Sequence, residues 1–153
     1  MKFRKLTTLE EALRIREIRN ESRQFLTNNT EFITEDQQIQ WFSQYSEFQN
    51  SRSYFVWIGS DEAGNDVGYG AIKIIGDQNG AITLCLGEKF RGMGFGRKLL
   101  SFLVDRCYEF NLIPYSEILA SNTASINLHK TSGFTELEAM GGRLVKMAKK
   151  RLS

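Results

Sequence analysis

Three glycines in five positions, Gly92, Gly94 and Gly96, sit between Arg91 and Arg97 in the stretch LCLGEKFRGMGFGRKLL. Glycine reaches positive φ without a steric penalty and lets a ligand approach the backbone closely. The residues before the loop are β-branched and apolar, and those after it recur at helical spacing, so the loop lies where a strand hands over to a helix. Free N–H groups at a helix start point to one spot, reinforced by the helix dipole, which makes an anion site. Each hydrogen bond to a charged oxygen is worth roughly 1.5–3 kcal/mol, so four or five could hold a pyrophosphate. A dinucleotide fingerprint needs G-x-G-x-x-G after an opening βαβ strand; here the spacing is G-x-G-x-G after a hairpin. A phosphate-binding Walker loop needs Gly-Lys-Ser/Thr, whereas Gly96 is followed by Arg97-Lys98-Leu99.

Other side chains able to do chemistry are few. Two carboxylates are candidate bases: Glu117, whose plainer reading is an exposed strand-start carboxylate, and Glu88, at the end of the strand before the loop. His129 is the only histidine, which is too few for a histidine-based metal cage, and no metal is expected. Cys85 lies inside a strand with no histidine near it in sequence, and it and Cys107 read as buried structural thiols. Arg16, Arg19 and Arg23 fall on one helical face, with Arg14 and Asn20 alongside. That face is either a solvated basic surface or a site for an anionic ligand, since the arginine fork suits phosphate. Trp41, Phe42, Tyr45, Tyr54 and Trp57 can line an apolar wall or fill the core.

The elements that must position these residues are legible. A strand around Phe3 to Leu6 leads into a capping box, Thr8 with Glu11, and a second box, Thr34 with Gln37, opens another helix. SYFVWIG, VGYGAIKII and AITLCL read as strands separated by the hairpin signals DEAGND and GDQNG. Phe95, Leu99, Leu100, Leu103, Val104 and Cys107 form the apolar stripe of a helix that stops before Pro114. SEILAS reads as a buried strand, Asn122 to Ser132 as a short helix with an Asn N-cap, and two last strands flank Gly141-Gly142. The predicted order is β-α-α-β-β-β-α-β-α-β-β, an α/β (α+β) fold with a mixed, mostly antiparallel sheet flanked by helices, expected as one domain over residues 1–153.

Composition excludes several classes. Hydrophobic residues make up 41 % of 153, enough for a core, and the net charge of +2 has no footprint for nucleic acid beyond the tail 146–151. The first twenty residues lack an apolar signal region, and no stretch approaches a membrane span. The chain therefore reads as soluble and cytoplasmic, with no nucleic-acid or membrane partner.

Arg91-x-x-Gly94-x-Gly96 is similar to the R/Q-x-x-G-x-G/A signature of the GCN5-related N-acetyltransferase (GNAT) superfamily. Asn122-x-x-Ser125-x-x-Leu128-His129-x-x-x-Gly133-Phe134 resembles that superfamily's N-x-x-A/S-x-x-L-Y-x-x-x-G-F stretch, with His129 in the Tyr position. The resemblance implies acetyl-CoA as co-substrate and direct attack of an amine on its thioester. It implies that the strand before the loop bulges and splays from its neighbour, with Leu84, Cys85 and Leu86 offering backbone groups to pantetheine. Gly92, Met93, Gly94, Phe95, Gly96 and Arg97 would cradle the pyrophosphate beside Arg91, and Asn122 and Ser125 would reach the cofactor from the other side. Glu117 takes the place of a base, and His129 either protonates the leaving thiolate or packs on its helix. A small-molecule amine, an amino sugar among them, is the expected acceptor; a protein N-terminus or lysine, or a non-catalytic acyl-CoA sensor, are the competing readings. The superfamily often pairs through its C-terminal strands, so a homodimer is a partner the resemblance allows.

Overall fold

The computed structural model describes residues 1–27, 31–50, 53–137 and 142–151, without the side chains of 48–50. Thr8 caps the first helix as predicted: its side chain accepts from the Glu11 N–H while the Glu11 carboxylate accepts from the Thr8 N–H. Arg4 reaches the same carboxylate at 2.6 Å, so the cap also fixes the first strand to the helix. The second box forms as well, with Thr34 and Gln37 exchanging bonds of 2.9 and 3.2 Å. The elements run β1 (Lys2–Lys5), α1 (Leu9–Glu21), α2 (Glu35–Asn50), β2 (Tyr54–Ser60), β3 (Asp66–Ile75), β4 (Asn79–Leu86), α3 (Phe95–Glu109), β5 (Ile113–Leu119), α4 (Thr123–Thr131), β6 (Thr135–Glu136) and β7 (Leu144–Ala148). This is the predicted order. Gly141 of the last expected turn lies outside the described residues.

The strands form one seven-stranded sheet in the order β1-β2-β3-β4-β5-β7-β6, antiparallel except between β4 and β5. The α3 stripe packs Leu99, Leu100, Leu103, Val104 and Cys107 against one sheet face, together with Ile72, Ile82, Ile118 and Met147. The other face holds Ala12, Ile15 and Ile18 of α1 and Tyr45 of α2 over Val56, Ile58, Tyr69, Ala71 and Cys85. Burial of both faces explains why β2 and β3 read as continuous apolar runs rather than as alternation. Among the described residues no helix is long and apolar enough to cross a membrane.

Candidate active site

The parallel pairing of β4 with β5 is short. It joins Asn79 to Ile113, Gly80 to Pro114 and Ala81 to Tyr115, and then stops. Both strands continue, β4 to Leu86 and β5 to Leu119, so a gap opens between their ends. β4 keeps an unbroken register with β3 from Ile75–Asn79 to Gly68–Leu86. The bulge implied by resemblance is therefore absent from this pair, and the irregularity in the sheet lies at Gly59/Ser60 between β2 and β3. The divergence comes from β5, which turns to pair with β7 over Tyr115 to Leu119.

The register decides which backbone groups face the gap. The Gly87 N–H donates to the Val67 carbonyl at 2.8 Å, so residues 83, 85 and 87 direct their N–H and C=O groups toward β3. Leu84 and Leu86 direct theirs the other way, into the gap. Cys85 is a correction: its backbone is committed to β3, and its buried side chain lies in the α1/α2 core. Burial pushes its thiol pKa up, which keeps it protonated and structural. The Leu86 carbonyl accepts from the buried Ser22 hydroxyl at 3.3 Å, leaving the Leu84 and Leu86 N–H groups as the donors aimed at the opening.

The glycine loop follows. Gly92 and Gly94 have φ of +77° and +86°, and a Cβ on either would meet open space, so conformation rather than crowding calls for glycine. Gly94 is the N-cap of α3 and brings no side chain to the first turn, and that turn holds no acidic residue. Among the described residues no backbone acceptor reaches the N–H groups of Gly92 or Gly94. With the N–H groups of Phe95, Gly96 and Arg97, orphaned by helix geometry, they form a concave donor surface on a basic stretch. Met93 is 64 % exposed beside it, and Phe95 packs edge-on against Phe90. Gly96 serves packing: its Cβ would lie 3.3 Å from Leu128 and 3.7 Å from Leu86, where α3, α4 and β4 converge.

Arg91 turns away from this surface. Its guanidinium donates to the Glu21 carbonyl at 3.2 Å and the Ser22 hydroxyl at 3.0 Å and lies over the Phe25 ring. The Glu88 N–H donates to the Glu21 carboxylate at 2.9 Å, so the end of α1 is stitched to the end of β4. This use also places Glu88 on the exposed outer side, in a surface hollow with Glu21 and Lys89. Arg97 reaches the Thr131 hydroxyl at 3.4 Å. The Asn122 side chain accepts from the Ser125 N–H at 3.2 Å and so caps α4.

The two candidate proton-transfer residues occupy opposite faces. Ala81 pairs with Tyr115, so Tyr115 and Glu117 stand on the α1/α2 face, with Cys85 and Tyr69. The Tyr115 hydroxyl donates to Glu117 at 2.8 Å; burial and this carboxylate push its pKa up to about 12, so it stays a donor. His129 is 2 % exposed on the α3/α4 face. Its Nδ1 lies 2.8 Å from the Ser125 carbonyl, which can only accept, so Nδ1 carries the proton and Nε2 accepts from the Ser116 hydroxyl at 3.0 Å. Burial holds its pKa below the usual value, against the opposing bond to Ser125. A neutral imidazole with both nitrogens engaged and its proton held by the Ser125 carbonyl, edge-on to Phe134, accords with the packing reading of His129.

A cavity of about 410 Å³ opens on the α1/α2 face between these helices and β2–β3. Arg19, Trp41, Tyr54, Tyr69, Gln38 and Glu31 line it, with Ile15, Phe32, Ile33 and Val56. Of the arginine face only Arg19 does so. Arg14 pairs with Glu17 at 2.6 Å, and Arg16 donates to the Ile33 carbonyl at 3.0 Å. Asn20 exchanges two 3.0 Å bonds with the Ile33 backbone, so Arg16 and Asn20 strap the cavity wall to α1. Tyr69 pairs directly with Cys85, which sets the cavity against the strand that borders the gap. Among the described residues no group of three or more His, Cys, Asp or Glu could hold a metal ion.

Comparison with known proteins places this geometry. The model of the acetyltransferase (GNAT) family matches residues 13–134. No curated protein matches the chain. Among solved structures, a candidate acetyltransferase, yncA from Salmonella typhimurium, with its cofactor acetyl-CoA, is 24 % identical at a TM-score of 0.76, covering 100 % of this chain and 96 % of that one. Ribosomal-protein-alanine N-acetyltransferase from Brucella melitensis is 22 % identical at 0.78, covering 97 % and 99 %. Spermidine N-acetyltransferase from Vibrio cholerae, in complex with CoA and spermine, is 17 % identical at 0.78, covering 96 % and 93 %.

Proposed function

The chain belongs to the acetyltransferase (GNAT) family, and from that premise we propose that it is an acetyl-CoA-dependent N-acetyltransferase acting on the primary amine of a small molecule. The observation that carries the reading is the gap between β4 and β5, with the N–H groups of Leu84 and Leu86 on one side and the donor surface of Gly92 to Arg97 at its end. Those groups fit a pantetheine arm and a pyrophosphate, with Asn122 and Ser125 at the start of α4 as contacts from the far side. Acetyl-CoA supplies the acetyl group as a thioester that an amine attacks directly. The Leu86 N–H is suited to a developing oxyanion, a stabilisation worth about 3 kcal/mol in comparable donors. Glu117, oriented by Tyr115, takes the proton of the incoming ammonium, directly or through water. Proton return to the thiolate falls to solvent, since His129 is committed elsewhere and the raised pKa of Tyr115 makes its hydroxyl a poor acid.

The cavity beside Tyr69 is a small-molecule site in size, and an amino sugar is one acceptor that fits its aromatic wall. The test is CoA release against a panel of amines, with Glu117→Gln beside the wild type. The reading expects release with at least one amine and a fall in kcat of roughly 10²–10⁴-fold in the variant, with acetyl-CoA affinity retained. Failure to bind acetyl-CoA sinks it; tight binding without release on any amine favours an acyl-CoA sensor instead.

A further inference from the structure

The acceptor cavity has a charge pattern of its own. Among the described lining residues the one cation, Arg19, is half-buried on α1, while the one carboxylate, Glu31, is exposed. Tyr54 and Tyr69 stay protonated there: burial pushes Tyr54 up to about 12 and Tyr69 well above its usual range. Both hydroxyls are neutral, and that of Tyr69 is hydrogen-bonded to the Cys85 thiol. The Arg19 charge favours the ionised forms of Tyr54, Tyr69 and Cys85, so its field acts across the cavity floor toward β4. Among the described lining residues the interior thus holds one positive charge, that of Arg19, and no carboxylate that would hold a second ammonium.

Resting on the acetyltransferase reading above, we infer that the acceptor is an amine whose own skeleton carries an oxyanion, a carboxylate or a phosphate, held by Arg19 while its amine meets the gap beside Tyr69 and Cys85. The class excluded is the polyamine, whose further ammonium groups would face Arg19. The 410 Å³ volume suits one amino acid or one amino-sugar phosphate. In the reaction the amine nitrogen bonds to the acetyl carbon, the carbon–sulfur bond of the thioester breaks, the sulfur keeps the electron pair, and the amine loses a proton. The oxyanion takes no part in bond making; it positions the amine.

Two matched pairs test this, glucosamine 6-phosphate against glucosamine and phenylalanine against phenethylamine, with spermidine as the cationic probe. Each is titrated calorimetrically into the CoA-saturated protein and assayed for CoA release with acetyl-CoA. The expected result is tighter binding and higher kcat/KM for the oxyanion member of at least one pair, by roughly 10- to 100-fold. Which pair responds separates the phosphate source from the carboxylate source. Arg19→Gln should shrink that preference to within about threefold, and Arg19→Lys should keep part of it. Thermal midpoints and acetyl-CoA affinities of the variants show that both still fold. Equal treatment of both members of both pairs, binding of neither, preference for spermidine, or a preference that survives Arg19→Gln overturns the inference. If acetyl-CoA itself does not bind, it is the underlying acetyltransferase reading that fails.

Discussion

Two sites meet at β4, and they are made of different material. On the gap side the groups proposed to hold the cofactor are backbone: the N–H groups of Leu84, Leu86 and the stretch Gly92 to Arg97, freed by register, positive φ and a helix start. On the α1/α2 side they are side chains from four elements, Arg19, Trp41, Tyr54 and Tyr69 among them. A backbone site survives almost any side-chain change that leaves the chain path alone. A side-chain site is redefined by single substitutions. The contrast suits a constant cofactor on one side and a particular acceptor on the other.

The comparison can be broken at graded strength. The largest effect belongs to the carboxylate on β5, across the gap from β4: Glu117→Gln should cost roughly 10²–10⁴-fold in kcat without changing the denaturation midpoint, measured by CoA release and urea titration. His129→Ala should do the reverse. It leaves a cavity beside Phe134 and strips a partner from Ser116 and from the Ser125 carbonyl, so urea denaturation should show a loss of about 2–4 kcal/mol. Activity per folded molecule should stay within about fivefold; a loss of hundreds-fold would restore the acid role to His129.

Next comes Gly94→Ala, which forces a Cβ into φ of +86° at a cost of about 1–2 kcal/mol. Acetyl-CoA affinity, read by calorimetry, should fall about tenfold or more as the loop shifts its donors. Gly96→Ala is the control: its Cβ meets only the Leu128 and Leu86 side chains at 3.3 and 3.7 Å, and alanine favours the helix, so affinity should change by less than about threefold. If both glycines behaved alike, conformation would not be what the loop contributes.

The smallest effect is in pH. Burial holds the folded pKa of His129 below its unfolded value, so the unfolded chain binds the extra proton first. Stability from this group is whole at neutral pH and is lost as pH falls below about 6.5. His129 is the only histidine, so His129→Asn should flatten urea stability across that range; an unchanged slope would contradict the burial argument.

Much of this was legible in local sequence. Both capping boxes, the α3 stripe and the Gly92–Gly96 loop are set by residues within a turn or two of each other, and each forms as read. What escaped depends on distant partners. Arg91 looks like an anion ligand beside its glycines, yet its guanidinium caps α1 through Ser22, 69 residues away. Nothing near Ser116 marks it as the partner of His129, and nothing in the arginine-rich face of α1 marks Arg19 as the one that lines the cavity. Tyr69 gave no signal apart from strand propensity. The expected bulge failed for a similar reason: the gap arises where β5 leaves β4 for β7, and the pairing of β7 is invisible from residues 81–86.

The central claim is that the cofactor is held by backbone donors in that gap. Amide hydrogen exchange resolved by residue, with and without acetyl-CoA, tests it directly. The prediction is slowing by at least about tenfold at Leu84, Leu86 and Met93 to Arg97, with Cys85 unchanged because its N–H is already bonded to β3. Slowing at Cys85 but not at its two neighbours, or no change along Gly92 to Arg97 while acetyl-CoA is bound, would contradict it.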